Sequence, residues 1–472
     1  MCVIIGLDPI IFFKEGIMKE TIIQFGEGGF LRSFADVFVH KMNEQGLYDG
    51  KIVVVQPICK GLIPVINEQH GVYHQFLRGV ENGKIVNDCI EVHSISRGVD
   101  PYADYDEYLK LAENPDFRVI ITNTTEAGIE YLGTEKPDDR PPKSFPAKLT
   151  ALLYKRFKLG LGGFIILSCE LIDNNGKELL NCVLKYARLW NLPQAFIEWV
   201  KTQNHFCNTL VDRICTGYPK DEAEKQELDT RLKTELGLTN SDKLMNTAEI
   251  FHLWVIEGNF ENEFPLKKAG INVIWTEDVK PYKKRKVRIL NGAHTSMVLA
   301  ARLYGLSTVK ECLDDKTVNA FLNKTLFQEI VPTLSAGQDE ATQKGYEQFA
   351  KDVLERFANP FVKHQLLSIA LNSVSKFKAR VLPTIIEYMD IFGKIPKCLT
   401  FSLAALIAFY KTDEANDGEE IMAFMKTTAP AQILTREDYW GQDISFLLDD
   451  VQKYYDIIIN DGIKAAYSTL EC

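Results

Sequence analysis

The spacing of apolar positions changes about halfway along this 472-residue chain. In the first half they come as short unbroken runs: TIIQF at 21–25, KIVVVQ at 51–56, RVIITN at 118–123 and FIILS at 164–168. Runs of this length, rich in β-branched residues and separated by amphipathic stretches such as the one ending at Met42, predict strands buried on both faces and alternating with helices. The pattern is that of a doubly wound, parallel α/β sheet. Beyond about residue 245 the spacing becomes helical. Segments at 308–331, 340–357, 361–380, 398–411 and 444–467 are punctuated by Pro332, Pro360, Pro383 and Pro396. No internal repeat or low-complexity linker intervenes. The expected division is a sheet domain over 18–245 and a mainly helical domain over 246–472, with chemistry in the cleft between them.

One stretch, KVRILNGAHTS at 286–296, supports two local readings. Asn291-Gly292 is a hairpin signal, and Val287 and Ile289 alternate with Lys286 and Arg288 as a strand would. The alternation stops at the glycine. On a helix, Lys286, Leu290, Ala293 and Met297 form one stripe, and His294 lies within about a quarter turn of Lys286 and about a third of a turn of Asn291. The helix is therefore the expected form, with Lys286, Asn291 and His294 able to face one cavity. A lysine whose stem lies on an apolar stripe loses hydration of its ammonium, which suits proton transfer. An amide can donate to a developing alkoxide, and an imidazole can relay or orient.

A second candidate site follows the first strand directly. In GEGGFLR, Gly26 can make the tight turn and Gly28 can let a pyrophosphate approach the backbone, so the domain reads as Rossmann-type. Leu31 stands where the usual third glycine would be, and Arg32 is a candidate phosphate cation. Gly29 and Phe30 in the turn, Gln56 at the end of the second strand, and Asn123 and Thr124 at the end of the third complete the candidate cofactor contacts. Gln56-Pro57 replaces the acidic residue that would grip an adenosine ribose, and Lys60 lies near enough in sequence for a 2′-phosphate, so local chemistry leaves NAD and NADP open.

A net charge of −10 disfavours general binding to nucleic acid or anionic membranes. The ten cysteines include no CxxC pair; Cys169, Cys207 and Cys215 with His205 lack zinc-type spacing, and reduced thiols in the cytoplasm are expected. The apolar run at 398–410 is too short to span a bilayer and reads as a buried helix. Residues 1–17 lack the basic start and small-residue cleavage site of a signal peptide, and are expected to be a disordered or artefactual extension before a compact start at Met18.

Taken together, GEGGFLR, NTTEAGI (123–129), SFPAKLTALL (144–153), SCELIDNNG (168–176), FCNTLVDRI (206–214) and KVRILNGAHTS resemble the mannitol dehydrogenase family of polyol-specific long-chain dehydrogenases. The likeness runs from about residue 20 through nearly the whole chain. CELIDNNG, VDRICTGYP, KPYKKRKVRILNGAHT and HQLLSIAL are most similar to the branch that reduces a keto-hexuronate. The resemblance implies a metal-independent NAD(H) enzyme in which Lys286 is general acid and base, Asn291 polarises the carbonyl and His294 positions substrate hydroxyls.

Two departures from the polyol enzymes stand out. Glu170-Leu171 replaces their Asp-Asn, leaving Asn174 or Asn175 as candidate second oxyanion donor. KPYKKRKVR places six cations between Lys280 and Arg288 where those enzymes carry acidic residues. Such a run opposes the helix dipole and invites an anion, so Lys283, with Lys363 or His364, is the candidate binder of a substrate carboxylate. Asp212-Arg213 reads as either an ion pair at the domain boundary or a contact to a substrate hydroxyl, and Arg356 and Asn359 as fixing the helix break before Pro360. The expected reaction is reduction of D-tagaturonate to D-altronate in hexuronate breakdown. Fructuronate reduction and neutral polyol oxidation are the near alternatives, and a dinucleotide-binding sensor without turnover is the alternative of another class.

Overall fold

The computed structural model describes residues 18–125 and 127–470; the expected extension at 1–17 lies outside the described residues. The main sheet has six strands: β1 (Lys19–Phe25), β2 (Gly50–Val55), β3 (Ile95–Val99), β4 (Val119–Thr122), β5 (Ile165–Ser168) and β6 (His205–Cys207). They lie in the order β3-β2-β1-β4-β5-β6, each pair parallel. Alternate residues serve opposite faces. Ile22, Ile52, Val54, Val119 and Ile121 enter one buried cluster, and Ile23, Phe25, Val53, Val55 and Ile120 enter the other. The helix Ala35–Glu44 contributes to the first cluster, and Phe145–Lys158 and Asn175–Leu189 to the second. Both faces being covered, apolar residues stand at consecutive positions in the strands, as the unbroken runs predict. Strand order reverses between β1 and β4, which opens a crevice at their carboxyl ends.

Two smaller sheets extend this domain. One holds the hairpin Tyr73–Glu81 and Lys84–Val92 with Asn246–Glu249 and Cys215–Gly217; the other holds Thr209–Asp212, Leu253–Glu257 and Val273–Thr276. Strands after residue 245 thus pair with strands before it, and the sheet-bearing part runs through Thr276, past the division expected at 245/246. These strands are too short for their period to outweigh the helical texture around them.

The helical domain has its own core, running from Ile289 to Leu470. At its centre Lys397–Phe409 is buried almost throughout, and it packs against Gly292–Tyr304 and Leu448–Asn460. The expected helix at 361–380 is instead two pieces, Leu366–Ala370 and Ser373–Arg380, separated at Asn372, whose left-handed φ of 53° turns the chain. Asn tolerates that conformation better than other non-glycine residues. Among the described residues no helix is long and apolar enough to cross a membrane.

The central helix begins at Pro396, which offers no side-chain cap. Glu329 supplies one from a distant segment, its carboxylate accepting from the amides of Cys398 at 2.8 Å and Leu399 at 2.9 Å. Burial pushes this carboxyl up, and the amide donors oppose the shift. Glu329→Ala removes the partner of two buried amides and should cost about 1–3 kcal/mol, seen as a lower thermal midpoint; an unchanged midpoint would mean that the helix end is satisfied elsewhere.

Candidate active site

KVRILNGAHTS is helical throughout, but not uniformly so. An α-helix over Lys280–Lys286 passes into a π-turn, Val287–Asn291, and resumes as α-helix at Gly292–Tyr304. In a regular α-helix, residues five apart diverge by about 140°. The i→i+5 bonding of a π-turn brings them over one another, so Asn291 is carried onto the face of Lys286. Gly292 suits the crowded side of this turn, because a Cβ there would lie 3.3 Å from the carbonyl oxygen of Arg380.

Lys286 Nζ donates to the Val211 carbonyl at 3.0 Å and lies 3.2 Å from Asp212 Oδ1. An ammonium has three donors, so one is left for the cleft. Asp212 ends a strand that follows β6 almost directly. Its carboxylate receives a two-pronged bond from Arg356, at 2.9 and 3.1 Å. The same guanidinium reaches Glu249 at 2.8 and 3.0 Å, and it stacks on Phe251 with 4.3 Å to the ring centroid. The side chains of Asp212, Glu249 and Arg356 are each 3% exposed. Burial pushes Asp212 up, but Arg356 and Lys286 together hold it below the ordinary carboxylate range.

Asp212 and Arg213 are therefore not partners. Arg213 donates to the main-chain carbonyls of Glu249 at 2.9 Å and Ser33 at 2.6 Å. Arg356, read from sequence as securing a helix break, is instead the bridge from the helical domain to both carboxylates. Asn359 does serve the break, accepting from Phe361 N at 3.0 Å and donating to Arg78 O at 3.0 Å. A lone arginine on the buried face of an amphipathic helix was the available signal.

His294 stacks on Phe357 at 3.9 Å and meets His364 edge-on at 5.2 Å. Burial, followed by the charges of His364, Arg356 and Arg380, holds its imidazole well below the ordinary range. Its Nε2 is buried without a partner among the described residues. His364 and Lys363 line a cavity of about 730 Å³ between the domains, together with Arg78, Thr216, Tyr218 and Lys220.

The basic run is largely neutralised from within. Lys283 pairs with Asp173, Lys284 with Glu387 at 3.3 Å, and Arg288 with Glu387 at 2.9 Å. Arg285 lies over Phe349, 4.5 Å from the ring centroid. The structure therefore brings Lys283 to an acidic side chain, where a substrate carboxylate was expected.

At the glycine turn, Gly26 has φ of 120°, and a Cβ there would stand 2.6 Å from the Asn123 carbonyl oxygen. Gly28 faces open space, which leaves room at its backbone. Gly29 has a packing reason, since a Cβ would press on Asn246 Oδ1 at 3.1 Å and Gly217 Cα at 3.3 Å. Phe30 stacks on Phe34. Arg32 departs from expectation: it is 3% exposed and donates to the carbonyls of Glu27 and Leu244, turned inward by its place on the buried face of the helix. Gln56 is buried beside Glu27, both of them crowding Gly61, and Lys60 is exposed. Glu27 escaped the sequence reading; burial pushes its carboxyl up to about 7.

Thr124 donates through its amide and hydroxyl to Glu170 at 3.0 Å, and Asn123 Nδ2 donates to the Cys169 carbonyl at 2.8 Å. Asn175 cannot serve as the oxyanion donor. It is 1% exposed, and its Nδ2 is committed to the carbonyls of Ser168, Glu170 and Thr209. That clamp holds β5 against the strand carrying Asp212.

The Mannitol dehydrogenase Rossmann domain profile matches residues 20–268, and the Mannitol dehydrogenase C-terminal domain profile matches 278–467. The chain is 42% identical to the altronate oxidoreductase of Enterobacter sp. (strain 638), across 97% of this chain and 98% of that protein. The altronate oxidoreductase of Shigella flexneri matches with the same identity and coverage. Among solved structures, a substrate-free D-sorbitol dehydrogenase shares the fold with a TM-score of 0.80 and 23% identity, over 95% of both chains. Mannitol 2-dehydrogenase of Pseudomonas fluorescens, solved with NAD and D-mannitol, gives 0.67 and 21%, over 96% of this chain and 94% of that one.

Two outcomes follow from the buried charges. Arg356→Met strands two carboxylates and should cost about 3–5 kcal/mol, read as a lower denaturation midpoint; a loss below about 1 kcal/mol would show that they find other partners. The His294 imidazole should not titrate between about pH 5.5 and 8 by NMR, whereas a midpoint near the ordinary value of about 6.5 would mean that it is hydrated.

Proposed function

The chain belongs to the mannitol dehydrogenase family, and from that premise we propose that it reduces the ketone of D-tagaturonate to the alcohol of D-altronate, reversibly, with NADH. One observation carries this reading: Lys286, held by Val211 and Asp212, keeps a donor for the cleft, and the π-turn that follows it ends at Asn291, whose carboxamide has no partner among the described residues. The altronate oxidoreductase relatives at 42% identity supply the substrate class.

The crevice between β1 and β4 fits a dinucleotide, since Gly28 leaves room for it and Gly26 makes the turn that no Cβ would permit. Bound there, NADH supplies the hydride. Lys286 gives its free proton to the carbonyl oxygen as negative charge develops, and in the reverse direction takes the alcohol proton. Asp212 stays ionised, because Arg356 holds it so, and it keeps the amine aimed. Asn291 donates to the same oxygen, one π-turn along. The neutral imidazole of His294 can give or accept a hydrogen bond and so orients substrate hydroxyls. Glu27, buried beside Gln56 at the end of β2, supplies the carboxyl that β2 lacks for a ribose, which favours NAD over its 2′-phosphorylated form. The reaction belongs to hexuronate breakdown, and the free cysteines of the described residues suit the reducing cytoplasm.

With purified protein, NADH oxidation should be fastest with tagaturonate, slower with fructuronate and slowest with fructose. Lys286→Met should lower turnover by roughly 10²–10⁴-fold, the range for loss of a general acid. Preference for fructose, or near-normal turnover by the variant, would refute the assignment.

A further inference from the structure

Most of the cations in the basic run are matched by carboxylates or aromatic faces, whereas Arg380, close to His294, is not. Arg380 closes the helix Ser373–Arg380, which packs against the first turns of Gly292–Tyr304. Its guanidinium is half-buried, and its contact is a long one, 3.4 Å from Nη1 to Thr295 Oγ1. Among the described residues no carboxylate pairs with it, and burial alone lowers its pKa. One helical turn earlier on the same face stands Lys376, whose Nζ donates to the Ile369 carbonyl at 2.8 Å. Like charges at i and i+4 destabilise a helix, and here both are partly removed from water. The charge of Arg380 also reaches His294, whose buried Nε2 has no partner among the described residues.

These groups stand in a sequence along the site. Lys286 and Asn291 come first, His294 next, and Arg380 against Thr295 last. From Asn291 to Thr295 the helix rises about 6 Å. A keto-hexuronate presents its groups in the same order: ketone, three hydroxylated carbons, carboxylate. Lys283, the other candidate for that carboxylate, is occupied by Asp173.

We propose that Arg380, flanked by Lys376, binds the substrate carboxylate and is the residue through which the site selects a sugar acid over a neutral ketose. The inference rests on the hexuronate reading above and deepens it. A planar guanidinium can engage both carboxylate oxygens, which a hydroxymethyl group in the same place cannot reproduce.

The test compares wild type, Arg380→Met and Arg380→Lys, each with NADH and either tagaturonate or tagatose, its neutral counterpart. In the Met variant the Michaelis constant for tagaturonate should rise on the order of 100-fold, as for truncation of a buried charge pair. The uronate-to-ketose ratio of kcat/KM should fall by a similar factor. The Lys variant keeps the charge without the fork, so its ratio should fall on the order of tenfold. An equal loss for both substrates would mark a structural role and overturn the proposal, as would an unchanged ratio. If the Met variant fails to bind NADH in a fluorescence titration, the Lys variant decides by the same ratio. Wild type inactive on uronates but active on tagatose would remove the hexuronate reading itself, and this proposal with it; an active wild type with an unchanged ratio removes the Arg380 assignment alone.

Discussion

A guanidinium buried between two carboxylates joins the halves of this chain beside Lys286. Arg356 comes from the last turn of a helix in the C-terminal domain; Asp212 and Glu249 end strands in two different sheets of the other. Removing three charged groups from water is costly, and the arrangement holds because every group is met by hydrogen bonds as well as by opposite charge. Its consequence is positional. Asp212 is fixed, so Lys286 is fixed, and the cleft opens on a proton donor that cannot swing away. The same guanidinium adds to the field that keeps His294 neutral.

The π-turn is the second constraint. A regular helix through 286–294 would leave Asn291 on a different face from Lys286, however well the histidine aligned. One i→i+5 turn restores the alignment, and the nearby Arg380 backbone leaves Gly292 little room for a side chain. Wider helical turns are less favourable than α turns, and they persist where packing over-determines them. Here the turn lies between the helix carrying the cations and the buried helix Gly292–Tyr304.

Much of the fold was legible because it depends on short-range spacing. Unbroken apolar runs gave strands with two buried faces, and proline punctuation marked breaks between helices. Two of the three Asn-Gly pairs show where local signals stop. Asn82-Gly83 takes positive φ at both residues and turns a hairpin, whereas Asn291-Gly292 lies inside a helix. Only the surrounding stripe of apolar residues distinguishes them. The site was half legible. Lys286, Asn291 and His294 share one stretch, so their relation is nearly local. Arg32 and Asn175 looked available for ligands but are consumed by main-chain groups brought from Leu244 and Thr209.

The charges tell the same story over a longer range. Six cations in nine positions are plain in the sequence, and they suggest an anion-binding face. Asp173, Asp212 and Glu387, brought together by folding, quench much of that charge. Arg380, a guanidinium with no acid beside it among the described residues, lies well away along the chain. By itself, then, the sequence determined the two-domain layout, the strand faces, the glycine turn and the polar trio on one helix, because backbone preference and hydrophobic period act between near neighbours. Tertiary structure alone decided which charges are free and which are spent. Desolvation and pairing depend on whatever folding places within a few ångströms, and distance along the chain carries almost no information about that.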